Sequence, residues 1–300
     1  MCAMDLPSGL QIRPLTMADA VPVANLVRAS EIHDVGEALI DDEDIVGAWQ
    51  RPSFDLARQS VGILDNGTLI AFAEVLSGRY ANATVHPDHR GRGIGTALAG
   101  WTQERARVDG GTLVGQLVPS GGDAERLLES LGYHERWTSC VLELPGGSAI
   151  EPQPLPPGYA IREMRAGDER TAYQLIEDAF NEWPGRQPST FDDWAAGVVL
   201  RPGFEPWQLR LVCDAADTPV GASFLILSGD CGYVDTLAVR PDQRGRGLAR
   251  ALLVDSFDVA RLRGAQRSEL STDSRTGALG LYLRVGMEVT SVWRHLAIDV

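Results

Sequence analysis

A glycine-rich basic turn occurs twice in this chain, and its repetition constrains the fold more than any other feature. "VHPDHRGRGIGTALA" runs from Val85 to Ala99 and "VRPDQRGRGLARALL" from Val239 to Leu253. Arg90 and Arg244 stand 154 positions apart, and the same offset aligns Val85 with Val239, Pro87 with Pro241, Asp88 with Asp242 and Gly93 with Gly247. It continues through Ala97-Leu98 with Ala251-Leu252, Gly110 with Gly264, Leu127 with Leu281 and Gly132 with Gly286. A register this long implies two copies of a whole domain, not a solenoid of small units. The 300 residues suit two domains of ordinary size. We expect one copy over 1–146, a Pro/Gly-rich linker over 147–158 and a second copy over 159–300.

Each copy reads as a mixed α/β unit in the order β-α-β-β-β-α-β-α-β around one twisted sheet. "LQIRPLTMADA" and "YAIREMRAGDE" each open with a short strand leading to a helix. In the second, Ala172, Leu175, Ile176, Ala179 and Phe180 share one helical face, with Asp168 as the expected N-cap. Asp65-Asn66-Gly67 between two apolar runs signals a hairpin. After the turns, Ile94, Ala97, Leu98, Trp101 and Val108 form one expected buried face, and Leu248, Ala251, Leu252, Val259 and Ala260 the other.

Hydrophobic residues make up 44% of the chain, enough for a sizeable core, and the formal net charge is -14. An acidic chain lacks the basic field that nucleic acid or an anionic membrane requires. No apolar run reaches the ~20 residues of a membrane span. Cys2, Cys140, Cys213 and Cys231 are scattered without CxxC spacing, and the start carries no secretory pattern, which suits free thiols in a reducing cytoplasm. His86 and His89 have no second ligand pair nearby, so no metal site is expected.

Within this acidic chain the turn has a specific chemistry. A strand ending in Val, then Pro-Asp, then a glycine-rich opening to a helix leaves backbone N–H groups without intrahelical partners. The helix dipole adds positive potential there, and glycines let a phosphate approach the amides directly. Arg244, Arg246 and Arg250 can reach phosphate oxygens from the side. The spacing fits neither GxxxxGK[ST] nor GxGxxG. A phosphate-bearing ligand is therefore expected at two strand-to-helix junctions.

Arg244-x-x-Gly247-x-Ala249 and Arg90-x-x-Gly93-x-Gly95 resemble the [Q/R]-x-x-G-x-[G/A] motif of the GNAT superfamily of N-acyltransferases. "LAV-x-P" before the second turn and "A-x-x-LY-x-x-x-G" over Ala278 to Gly286 strengthen the likeness, which covers nearly the whole chain twice. In layout the chain is similar to the mycothiol synthase-like actinobacterial group. The resemblance implies acetyl-CoA as cofactor, with its pyrophosphate on Arg244, Gly245, Arg246, Gly247, Leu248, Ala249 and Arg250. Leu237, Ala238 and Val239 would bind the pantetheine arm, and Ser274 takes the place of a cofactor-contacting Asn. In the first copy the matching positions are Ala83, Thr84, Val85, Arg90, Gly91, Arg92, Gly93, Ile94, Gly95 and Thr96.

The resemblance also places a base at Asp235 and an acid at Tyr282. The 154 offset sets Ala81 and Leu128 at those places in the first copy, neither able to move a proton. The second copy is thus expected to catalyse and the first to hold cofactor or shape the cleft. In the mycothiol synthase-like group the strand carboxylate stands where this chain has Tyr233, so the substrate is not carried over. Acidic residues lie early in both copies (Glu31, Asp34, Glu37 and Asp41 to Asp44, then Glu177, Asp178, Glu182, Asp192 and Asp193). With Trp183 or Trp194 they would suit a cationic amine, although most read as a solvated helix surface. The leading expectation is an acetyl-CoA-dependent N-acetyltransferase of a small-molecule amine. Acetylation of a protein N-terminus or lysine, and a non-catalytic acyl-CoA sensor, stay open. The chain is expected to work as a monomer with a pseudo-dimeric pair of domains, or as a homodimer.

Overall fold

The computed structural model describes residues 4, 6–38, 40–152, 154–183 and 186–300, so Cys2 lies outside the described residues. The first half of the chain forms β1 (Gln11–Arg13), α1 (Ala20–Val35), α2 (Asp42–Trp49), α3 (Leu56–Gln59), β2 (Ser60–Asp65), β3 (Thr68–Leu76) and β4 (Tyr80–Val85). After the first turn come α4 (Ile94–Val108), β5 (Leu113–Pro119), α5 (Asp123–Ser130) and β6 (His134–Glu143). The second half repeats the plan with β7 (Ala160–Glu163), α6 (Glu169–Phe180), α7 (Phe191–Gly197), β8 (Leu209–Cys213), β9 (Pro219–Ser228) and β10 (Cys231–Val239). It closes with α8 (Leu248–Leu262), β11 (Arg267–Asp273), α9 (Leu279–Arg284) and β12 (Glu288–Asp299). The expected order of elements is present in both halves, with short helices added ahead of β2 and β8.

Two compact units divide the chain elsewhere than at the Pro/Gly run. One comprises the chain through Ser139 together with Ser291–Val300, and the other comprises Cys140–Thr290. The last strand of the second repeat therefore belongs to the first unit. Its strand order is β1-β2-β3-β4-β5-β12, mostly antiparallel, with β12 paired to β5 from Trp293 opposite Pro119 to Asp299 opposite Leu113. In the second unit the order is β6-β11-β10-β9-β8-β7, again mostly antiparallel with a parallel β10–β11 pair, and of β6 only the end from Cys140 to Glu143 belongs to this unit.

Local chemistry accounts for the elements. β2 and β3 are joined through Asn66 and Gly67, both at positive φ, as a tight hairpin turn requires. Ala172, Leu175, Ile176 and Ala179 of α6 are buried as the periodicity predicts, against Trp194, Leu209 and Phe224. On α4 the buried face is Ile94, Leu98, Ala99, Thr102 and Ala106, so Val108, expected on it, is instead exposed. Val108 is the last residue of α4, and Arg107 before it is exposed as well.

Asp168 occupies the N-cap position of α6, but its side chain does not cap that helix. Its carboxylate accepts from the Arg162 guanidinium at 2.6 Å and the Arg165 N–H at 2.7 Å. The first unit builds the same latch at its opening. Arg13 donates to Asp19 at 2.7 and 2.8 Å, and Asp19 also accepts from the Thr16 N–H. The Arg13 hydrogen bond, opposed by burial, lowers the Asp19 carboxyl to about 2. A carboxyl depressed on folding contributes stability above its unfolded pKa and loses it as pH falls through the folded value. Asp19→Asn should therefore destabilise the protein at pH 7 by about 1–2 kcal/mol, after allowing for the half-exposed arginine. The gap from wild type should close between about pH 4 and pH 2, as read by urea unfolding across that range. An equal deficit at pH 2 would mean that packing, not charge, holds the latch.

Candidate active site

The two turns have closely matching backbones. Gly91 and Gly93 have φ of 72° and 80°, and Gly245 and Gly247 of 75° and 78°. Gly93 and Gly247 are the left-handed N-caps of α4 and α8. A Cβ added at Gly91, Gly93 or Gly245 would meet nothing within 4 Å, so the space before these amides is open. A concave run of unpaired N–H groups at a helix N-terminus, open in front, fits a diphosphate.

The first arginine of each turn has another task. Arg90 donates through Nε to the Val85 carbonyl, and its guanidinium grips Asp34 of α1 at 2.6 and 2.8 Å and Ser30 at 2.8 Å. Arg244 repeats the pattern, bonding the Val239 carbonyl at 3.1 Å and Glu182 at 2.6 Å. Each ties its turn to the preceding strand end and to a carboxylate of the early helical region. The remaining arginines also have protein partners. Arg92 faces Asp65 and His89, Arg246 reaches Tyr159, and Arg250 donates to the Glu151 carbonyl. Ile94 and Leu248 point into the core, and Thr96 lines the cavity described below. Gly95 serves packing, since a Cβ there would meet Leu127 at 2.8 Å. Ala249, its counterpart, packs beside Leu248 and Leu252.

Beside each turn the sheet opens. In the first unit β4 and β5 pair in parallel at Tyr80 and Gly115. Beyond that point Gln116 bridges to the Ala83 carbonyl with its side chain at 2.8 Å. In the second unit β10 pairs with β11 from Cys231 to Val234. A bulge then falls between Val234 and Thr236, and Leu237, Ala238 and Val239 continue paired to β9. Asp235 sits at this bulge with its side chain exposed, accepting from Thr236 Oγ1. Tyr282 is buried among Leu253, Phe257, Leu270 and Met287, and burial pushes its phenol up to about 12. Ser274 is exposed in the loop after β11.

The first unit holds a cavity of about 740 Å³ in its splayed region. It is lined by the turn (Gly91, Gly93 to Thr96), by Asn82, Ala83, Thr84 and Val85 of β4, and by Phe72 and Glu74 of β3. Trp293 of β12 contributes to its wall. Glu74 was not singled out from sequence. It is 3% exposed, its two oxygens accept from Trp49 Nε1 and Asn82 Nδ2 at 2.7 Å each, and burial raises its carboxyl above the usual range. A lone acidic residue in "FAEVL" has no motif around it, and its partners come from two other elements.

The early acidic residues are mostly engaged with the fold. Asp42 pairs with Arg28, Asp41 and Asp44 form a capping box on α2, and Glu177 is buried against Arg186. Trp194 lies in the core and Trp183 stacks on Phe180. Glu31 and Asp34 do line the cavity.

The sequence profile of the Acetyltransferase (GNAT) family matches residues 28–133 and again 170–287. The chain belongs to the GNAT acetyltransferase family. It is a tandem GNAT acetyltransferase, and acetyl-CoA is its acyl donor. A Mycothiol acetyltransferase of Beutenbergia cavernae is 31% identical over 75% of this chain and 78% of its own length. The crystal structure of a GCN5-related N-acetyltransferase from Sphaerobacter thermophilus superposes with a TM-score of 0.75 at 30% identity, covering 98% of this chain and 96% of that one. The fold of a tandem GNAT protein from the clavulanic acid biosynthesis pathway is also similar, with a TM-score of 0.73 at 17% identity, over 97% of this chain and 98% of that one. No helix among the described residues of this acetyltransferase is long and apolar enough to cross a membrane.

Proposed function

We propose that this GNAT acetyltransferase transfers acetyl from acetyl-CoA to a primary amine of a small molecule, and that the first unit's cavity is where donor and acceptor meet. The cavity carries the proposal. Its volume of about 740 Å³ falls in the roughly 300–1,000 Å³ range of small-molecule sites. Gly91, Gly93 and the first amides of α4 would hold the diphosphate, and Ala83, Thr84 and Val85 the pantetheine arm. Acetyl-CoA supplies an activated thioester carbonyl at the end of that arm. The carboxylates Glu31 and Glu74 in the lining favour an acceptor that arrives as an ammonium ion. The relative named Mycothiol acetyltransferase is consistent with a small acceptor.

A second reading keeps the chemistry in the second unit, with Asp235 as base and Tyr282 as acid. The bulge at Asp235 favours it, because it turns an exposed carboxylate out of the ladder where β10 leaves β11. CoA release measured with a panel of aminosugars, polyamines, aromatic amines and lysine peptides separates these readings. Turnover with a small amine, kept within about twofold in Asp235→Asn and Tyr282→Phe, is expected. Loss of ~100-fold in both variants, as removal of a general base or acid gives, would move catalysis to the second unit. Turnover with peptides alone would replace the small-molecule acceptor. Binding of acetyl-CoA without turnover of any amine would make the protein a sensor.

A further inference from the structure

The first unit's cavity is lined by a buried carboxylate, Glu74, at a position where the second unit has a phenyl ring. Glu74 on β3 lies directly opposite Asn82 on β4, and in the same ladder Ala73 faces Ala83 and Ala71 faces Val85. In the second unit Ser223 faces Leu237 and Gly221 faces Val239, so the residue in Glu74's place, opposite Thr236, is Phe224. Phe224 is buried in an apolar cluster with Leu209, Leu211 and Ala222. The same architecture is thus built once with a phenyl ring at this position and once with a carboxylate. Burying a carboxylate costs free energy that a phenyl ring does not. In the first unit the carboxylate is reached by the cavity that begins at the glycine turn.

Its partners are arranged for a group that gains and loses a proton. Trp49 Nε1–H is a donor only and holds one carboxylate oxygen in either state. Asn82 holds the other with its NH₂. Turned over, the same amide offers its carbonyl oxygen to a protonated carboxyl, so both states are satisfied without backbone movement. Asn82 also stands three residues before Val85, the strand end at the turn, roughly 10 Å along β4. That distance is spanned by an extended arm running from the turn into the cavity.

We propose that Glu74 is the general base of the first unit, taking the proton of the acceptor ammonium in the cavity with Asn82 and Trp49 as its positioning residues. The inference rests on the reading that this cavity is the transfer site. The substrate enters as R-NH₃⁺, and Glu74 takes one proton to leave R-NH₂ and a neutral carboxyl. The amine nitrogen forms its bond to the acetyl carbon, and the carbon–sulfur bond breaks. The departing thiolate takes a second proton from the nitrogen, yielding the amide and free CoA thiol. Glu74 then returns its proton to solvent, so one proton is released per turnover. A carboxyl raised by burial is better matched to this exchange near neutrality than one in water. Arg51, beyond α2, opposes that rise. Glu31 and Asp34 of α1, Asp123 of α5, Tyr133, and His89 and Arg90 of the turn line the same cavity.

Glu74→Gln is the decisive variant, because the amide can accept from Trp49 and donate to Asn82 and so preserves the packing. With an amine that wild type acetylates, kcat should fall by ~100-fold or more while the acetyl-CoA Kd by calorimetry stays within about twofold. The acidic limb of the wild-type pH–rate profile should flatten in the variant. The Trp49 indole supplies a readout independent of turnover. Its emission should change with pH as Glu74 titrates, and this transition should be absent in Glu74→Gln and in Trp49→Phe. Full activity of Glu74→Gln with an unchanged acidic limb overturns the assignment while leaving the transfer reading intact. A rise in KM alone, with kcat and its limb unchanged, makes Glu74 an ammonium anchor and equally overturns it. Failure of wild type to acetylate any amine is the separate failure of the underlying reading.

Discussion

Gly93→Val is expected to lower kcat/KM for acetyl-CoA by ~100-fold or more, the loss typical when preorganised N–H donors to a charged group are removed. Two effects act together. Gly93 has a φ of 80°, which a β-branched residue adopts only with strain, so the N-cap of α4 would rotate and scatter its amides. A side chain would also stand in the open space proposed for the diphosphate, where nothing now lies within 4 Å. The strain costs stability as well, on the order of 1–3 kcal/mol. Gly247→Val in the second unit, where φ is 78°, supplies the control. It should cost similar stability yet leave turnover largely intact. Calorimetric titration with acetyl-CoA on both variants reads the difference. The opposite pattern, with Gly93→Val active and Gly247→Val silent, would place the donor on the second turn.

Leu296→Ala should destabilise the first unit by about 2–5 kcal/mol, the range for deleting a fully enclosed leucine. Leu296 has no exposed surface and packs with Ala99, Val118, Leu128 and Tyr133. Those residues come from α4, β5, α5 and the segment before β6, so the cavity left behind cannot be closed by one side chain moving. Neighbouring Arg294 makes the strand harder to shift. It bonds Glu125, and reaches Glu129 at 2.8 Å and Glu135 at 2.6 Å. Denaturant unfolding with hydrogen exchange should locate the loss in the strands β2 to β5 and not in β7 to β10. Uniform loss over both sets would mean that the two units unfold as one cooperative block.

The repeat, the element order and the two turns could be read from the chain because each rests on local pattern. Apolar spacing on α6, Asn66-Gly67 at a hairpin and glycines at strand-to-helix junctions need no knowledge of distant residues. What escaped depends on long-range pairing. Arg90 and Asp34 are 56 residues apart, so the brace from the turn to α1 has no local sign. Glu74 was hidden by a change of frame. The turns align at an offset of 154, which sets Glu74 against Ser228, but the ladder sets it against Phe224 because the strands of the second hairpin run further and carry a bulge between Val234 and Thr236. Comparing the copies at one fixed offset exposed Ala81 and Leu128 and passed over the carboxylate beside them. The destination of β12 had no local sign at all. Its alternation identifies a strand but not the sheet edge that receives it.

That destination has a consequence for how the protein is made. A ribosome delivers β1 to β5 long before β12, so the sheet of the first unit must wait with the edge of β5 uncovered while nearly all of the second repeat is translated. The domain begun first is the one completed last. Cutting the gene at the linker would leave the leading half with an open edge and the trailing half with a strand belonging elsewhere. Separately expressed halves should therefore stick, to themselves or to each other. The sheet of the first unit closes only when β12 has been delivered, which couples the appearance of its cavity to translation of the second repeat.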